Sequence, residues 1–225
     1  MGDGRARVRE HDGDGGESLG SGGVMGDHSV DDDRGRVVPW TAMEHGTAED
    51  YEFLDRQHYA HARSGLVDNL LDILQCLRGP TLGYQIDRYD HSRQSATRAL
   101  RNGESSDLVV AALLHDIGDA FAPENHSAAS AALLQPYVDE RTHWVVAHHG
   151  LFQGYYYFHH LGGDRDAREQ YRDSPHYDAC VDFGQNYDQN CFDPNYPNLP
   201  VEEFRPLLDE VFSRPSQVPA TAPLT

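Results

Sequence analysis

Six side chains able to ligate metal recur through the middle of this chain: His91, His115, Asp116, His126, His148 and Asp188. His115 and Asp116 close the apolar run LVVAALL, so they stand at the inner end of a segment that should be buried. A carboxylate buried there without a counter-charge is strongly disfavoured, and a bound cation would relieve the cost. An ordinary exposed helix terminus is the alternative. His91 lies 24 residues before His115, and His126, His148 and Asp188 follow Asp116 by 10, 32 and 72 residues. Helices packed round one centre can bring such positions together. Four imidazoles and two carboxylates suit borderline transition metals better than magnesium or calcium, which prefer oxygen. Two metal ions bridged by Asp116 would use all six. Of the remaining histidines, His11, His28, His45, His58, His61 and His176 read as structural or solvent-facing.

The elements that must position these residues are helical, because no run of alternating apolar and polar residues is long enough to nominate a strand. The fold class is therefore all-α. Thr47 with Asp50 signals a helix start, with the helix running to about Arg63. Leu66, Leu70, Leu71, Leu74 and Leu77 line one face of a second helix, stopped by Gly79-Pro80. A third is expected from about Gly83 to Leu100. The fourth, Ser106 to Ile117, is apolar on all sides and should be central, with Gly118 as its left-handed cap. Further helical pieces are expected at about 126–135, 140–149, 164–171 and 201–212, and long loops within 150–200. Residues 1–36 hold ten glycines and seven aspartates and read as a disordered leader. Residues 37–213 read as one domain and 214–225 as a flexible proline-bearing tail.

Composition narrows the function. The formal charge is −19, and all 18 cationic side chains are arginine. Such a field repels nucleic acid, so a small-molecule partner is expected. The longest apolar run, Leu108 to Leu114, is too short to span a bilayer, and the start MGDGRARVRE leads into no apolar stretch, so neither membrane nor secretory signal is expected. Three cysteines without paired spacing argue for reduced thiols and a cytoplasmic location. Oligomeric state is left open.

Taken in order, HSRQSA from His91, LVVAALLHDIGD, Asn125-His126, WVVAHHG and Tyr187-Asp188 resemble the HD-domain superfamily. Within it the likeness is to the non-haem diiron oxygenase branch, which includes myo-inositol oxygenase and the phosphonate-cleaving HD oxygenases. The likeness covers about residues 80–192. It implies an HD-type helical bundle with a dinuclear metal centre in its core. His91, His115, Asp116 and Asp188 would hold one iron, and Asp116, His126 and His148 the other. His148 is preferred to His149 because it follows Val145 by three; Asp188 is preferred to Asp182 and Asp193 for its Tyr-Asp ending. The implied cofactors are two Fe ions, Fe(II)/Fe(III), with O2 as co-substrate. The implied reaction is oxidative C–C or C–P cleavage of a small hydroxylated substrate.

Gln94, three residues after His91 on a helix, is expected to reach a metal ligand or the substrate. Tyr84, Asp119, His149, Tyr155 and His159 are further substrate-facing candidates, the last two within GLFQGYYYFHHL, which reads as a pocket wall or lid or else as an aromatic core helix. The chain departs from the inositol branch, whose substrate-binding lysine is replaced by Asp119. It departs from the phosphonate enzymes too, where Thr81 and Tyr84 stand in place of a tyrosine and a glutamate. An HD phosphohydrolase acting on a nucleotide or small phosphoester with Mn or another divalent metal is the second reading, with Arg88 and Arg93 as phosphate-facing cations. A non-enzymatic binding protein is the third.

Overall fold

The computed structural model describes residue 33 and residues 35–217. The expected disordered leader therefore lies outside the described residues save for Asp33, Gly35 and Arg36, as do residues 218–225 of the tail. The described residues group into two compact units, one ending at Gln57 and one beginning at His58. In the first, Asp50 accepts from the Thr47 backbone N–H at 3.1 Å and from the Trp40 indole N–H at 3.0 Å. That exchange starts helix α1, Ala48–Ser64, at the predicted position.

Among the described residues there are eight α-helices and no strand, so the molecule is all-α. Helix α2 is Leu66–Gln75, α3 Arg88–Arg101, α4 Ser106–Leu114, α5 His126–Leu134, α6 Glu140–Tyr157, α7 Tyr177–Phe183 and α8 Arg205–Ser213. Helix α4 is the axis of the second unit. Ser105 caps it by accepting from the Leu108 N–H, and every residue from Leu108 to Leu114 is buried. Helices α3, α6 and α8 pack around it. A fully buried Val or Leu contributes about 1.5–3 kcal/mol relative to exposure, so this helix needs no polar face. It delivers His115 and Asp116 into the interior, His115 fully buried and Asp116 nearly so.

Several boundaries differ from those expected: α4 ends at Leu114 rather than Ile117, and the pieces expected at 164–171 and 201–212 are a 3-10 helix at Ala167–Tyr171 and a 3-10 helix at Val201–Phe204 leading into α8. Helix α3 starts at Arg88 rather than Gly83, because Leu82 (φ 53°) and Gly83 (φ 96°) are left-handed and break the pattern. Asp87 then caps the helix, accepting from the Asp90 N–H at 2.8 Å. Helix α6 continues past His149 to Tyr157, so residues 150–157 are helix rather than loop; Phe152 is buried within them and holds that turn in place. Gly118 is not a left-handed cap, since its φ is not positive. It is needed for close approach instead: a β-carbon there would stand 2.5 Å from the His126 carbonyl oxygen and 2.7 Å from its Cα. Backbone cannot give way as a flexible side chain can. Gly118→Ala is expected to cost about 1–3 kcal/mol, as overpacking does, lowering Tm by about 2–4 °C per kcal/mol in thermal denaturation.

Candidate metal centre

Helix α3 supplies His91, the end of α4 supplies His115 and Asp116, α5 opens on His126, and α6 carries His149. Asp188 closes the cluster from a π-helical turn, Gly184–Asp188, that follows α7 directly. There the Gln189 N–H reaches the Gly184 carbonyl at 3.0 Å, and the widened turn brings Asp188 to the interior while Asp182 stays exposed. Asp193, the other alternative to Asp188, is also exposed.

The orientation of each buried ring is set from behind. The Nδ1 of His91 lies 3.0 Å from the Cys191 carbonyl, that of His115 2.8 Å from Ala112 O, and that of His149 2.7 Å from Val146 O. Carbonyls only accept, so each Nδ1 carries a proton, and in the neutral imidazole each Nε2 turns a lone pair inward. The Nε2 atoms of His91 and His115 then face each other at 3.2 Å, where two lone pairs have no hydrogen to share. The Asp188 Oδ2 is buried without any hydrogen-bond partner. Converging lone pairs and an orphaned carboxylate oxygen are what a cation would satisfy, and the residues present therefore fit a metal.

Asp116 sits between two groups of ligands. Its Oδ1 lies 3.3 Å from His149 Nε2 and 3.5 Å from His126 Nε2. Its Oδ2 lies 3.5 Å from both His91 Nε2 and His115 Nε2, and accepts from Arg88 at 3.1 Å. The atoms of His91, His115 and Asp188 fall within 4.8 Å of one another, as do those of His115, Asp116 and His149.

Electrostatics agree with that picture. Burial drives the His115 imidazole down to about 4, against the pull of Asp116 and Asp188. For His91 and His149 burial is again the largest influence, but hydrogen bonds to Asp188 and Asp116 respectively, with both carboxylate charges, outweigh it and raise them. Burial opposes ionisation of Asp116 and Asp188 too, yet the surrounding imidazoles hold both below the usual carboxylate range, Asp116 with the help of Arg88. Without a metal, protons on histidine balance these carboxylates; a metal ion would displace them.

The structure places His149, and not His148, in the cluster. His148 stacks on Trp144, ring centroids 3.9 Å apart, with its Nδ1 on the Trp144 carbonyl at 2.8 Å, and also meets the Tyr171 ring. Adjacent helical positions diverge by about 100°, so only one of the pair can point inward. Gln94 is likewise turned away from the cluster: its amide pairs with the Asp193 backbone, not with a ligand.

A cleft of about 400 Å³ opens on the Asp116–His126 side. Its wall includes Tyr84, Arg88, Glu124, His126, Gln153 and Tyr157. Tyr84 stacks on Phe192, which stacks on His91. Asp119 stands behind this wall, 3.4 Å from both Arg88 Nε and His126 Nδ1. Tyr155 is instead covered by Arg165 and Arg168, and exposed His159 lies against His160 with the rings tilted; neither lines the cleft. Arg93 grips the Leu199 carbonyl instead of facing the cleft. Gln153 and Tyr157 belong to the GLFQGYYYFHHL segment read as a pocket wall, though neither is singled out there. Gln153 donates to Asp188 Oδ1 at 2.6 Å. The two follow His149 by four and eight residues, a helical stripe that is visible in the sequence once His149 is taken as the inward residue.

Residues 88–188 match the HD domain family model, a span that begins on the first residue of α3 and ends on Asp188. No curated protein matches the chain. An HD domain implies a metal-dependent enzyme, and the clustered histidines and aspartates could bind its metals. No helix among the described residues is long and apolar enough to cross a membrane.

Proposed function

We propose that this HD-domain protein is a dinuclear iron oxygenase that oxidises and cleaves a C–C or C–P bond in a small hydroxylated substrate. The observation that carries the dinuclear reading is the division of Asp116, with one oxygen toward His126 and His149 and the other toward His91 and His115. One position would be held by His91, His115, Asp188 and Asp116, the other by His126, His149 and Asp116. A histidine-rich donor set of this kind suits iron. Bound as Fe(II)/Fe(III), the pair would supply Lewis acidity toward a substrate hydroxyl and the electrons for chemistry with O2.

The chain's own residues do the rest. His91 and Asp188 are fully buried, while His126, its side chain 28% exposed, stands at the cleft, so the second position is the accessible one. Tyr84 and Tyr157 offer aromatic faces with hydroxyl tips to a polyfunctional molecule. Gln153 fixes the Asp188 carboxylate from the cleft side. Among the described residues Arg88 is the one arginine of the cleft wall, and its charge is matched by Asp116 and Asp119. That neutralised wall favours a hydroxylated substrate over one whose binding must neutralise a phosphate.

The phosphohydrolase reading draws on the same Arg88, whose partly exposed guanidinium would be free for a phosphoester oxygen once a metal took over Asp116. The experiment is to load the full chain anaerobically with Fe(II), oxidise it stepwise, and follow EPR together with O2 uptake over amino alcohols, hydroxyphosphonates and polyols. Two irons per chain, a coupled Fe(II)/Fe(III) signal and substrate-dependent O2 uptake are expected. Full iron occupancy without that signal, with phosphate released from phosphoesters under Mn(II), would replace the oxygenase reading by the hydrolase one.

A further inference from the structure

Between Gln189 and Leu199 the chain leaves helical structure and lies as a strap along one face of α3, tied at each turn. Asn198 Nδ2 donates to the Asp90 carbonyl at 3.5 Å, Arg93 to the Leu199 carbonyl at 2.8 and 3.0 Å, and Arg101 to the Pro197 carbonyl at 2.8 Å. The Leu199 N–H donates to Thr97 Oγ1 at 3.1 Å. These anchors recur every three or four residues, so one face of α3 holds the strap.

Gln94 is the anchor of a different kind. It is fully buried, and its side-chain amide grips one residue of the strap in both directions: Nε2 donates to the Asp193 carbonyl at 2.8 Å and Oε1 accepts from the Asp193 N–H at 3.1 Å. The two residues just before Asp193 are those that orient His91. The Cys191 carbonyl takes the Nδ1 proton of His91 at 3.0 Å, and the Phe192 ring lies on the imidazole at 4.4 Å and 18°. Asp188, three residues before Cys191, enters the cluster from the same stretch.

We propose that Gln94 is a positioning residue for the metal position built on His91 and Asp188. By fixing Asp193 it holds the Cys191 carbonyl and Phe192 against His91, and so keeps the His91 Nε2 turned into the space it shares with Asp188 and Asp116. This rests on the metal-centre reading above. Groups that orient a ligand from outside typically govern metal affinity by about 10–100-fold. Their loss should fall on this position alone, because His126 and His149 sit on α5 and α6, away from the strap.

The test is a cobalt(II) titration of the full chain, followed by visible absorption, with thermal unfolding recorded on each metal-free protein. Wild type is expected to take two equivalents. Gln94→Ala is expected to bind one of them about 10–100-fold more weakly, with a changed ligand-field band, and the other as wild type does. Gln94→Glu keeps the size and one acceptor but sets a carboxylate against the Asp193 carbonyl, and the same selective loss is expected; it decides the matter if the alanine variant does not fold. Arg101→Ala loosens the strap at Tyr196 and Pro197, away from Asp193, and should leave both affinities as in wild type. Two unchanged affinities in a folded Gln94 variant, or equal weakening of both, would overturn the assignment. A wild-type chain that takes up no cobalt at all would instead sink the metal-centre reading beneath it.

Discussion

Asp116→Ala protein is expected to hold neither of the two metal ions that wild type takes up, and to have no activity above background. Each oxygen of this carboxylate addresses a different group, His126 and His149 on one side and His91 and His115 on the other, so one substitution removes a ligand from both positions. His115 also belongs to both groups, but its Nδ1 is held by the Ala112 carbonyl and it offers a single inward nitrogen, so it cannot address both positions at once. The loss at each position should exceed the roughly 10–100-fold that an outer partner commands, because a direct ligand is gone. The fold should survive. Arg88 keeps Asp119 as its partner and its side chain is 27% exposed, so its charge is not stranded. Elemental analysis after dialysis checks the outcome, with His126→Ala as the companion: that protein should retain the ion at His91, His115 and Asp188. Retention of two ions by Asp116→Ala would show that the carboxylate does not bridge them.

What could be read from the sequence depended on how many surroundings a pattern allowed. Leu108 to Leu114 is apolar on every side, which admits one environment, and the buried axis of the fold follows from it. His115 and Asp116 at its inner end inherit that burial. Asp188 was recognisable from its Tyr-Asp ending, but the π-helical turn that brings it inside was not, because one extra residue in a turn leaves no compositional mark. Gln94 shows the limit of face arguments. A spacing of three does put it beside His91, yet that side of α3 meets both the cluster and the strap, and the backbone of Asp193 offered the amide two bonds at once. Arg88 was legible as a cation near the site. Its pairing with Asp116 and Asp119 was not, since residues 28 and 31 positions away carry no local signal. Likewise the late start of α3 depends on a leucine in a left-handed conformation, which no leucine advertises.

The sharpest contrast between adjacent residues is predicted for His148 and His149. Helix α6 is apolar on two sides, with Trp144 and His148 toward Tyr171 and with Thr142, Val145 and Val146 inward, so composition alone does not set its phase. The inward stripe is fixed by continuity: His149 follows Thr142 by seven, Val145 by four and Val146 by three, and Gln153 carries the stripe on to Asp188. His149→Ala removes one of the two imidazoles facing Asp116 Oδ1, leaving His126 and that oxygen alone at the accessible position. Metal content should fall from two ions to one and activity should be lost, while the ion at His91, His115 and Asp188 remains. His148→Ala should keep both ions and lose the stack on Trp144 at 3.9 Å, the edge contact with Tyr171 and the Nδ1 bond to the Trp144 carbonyl, each ring pair worth about 0.5–1.5 kcal/mol beyond its buried area. Metal analysis and thermal unfolding of the two variants side by side separate the effects. If His148→Ala loses an ion and His149→Ala does not, α6 is turned by one residue from the phase that aims Gln153 at Asp188.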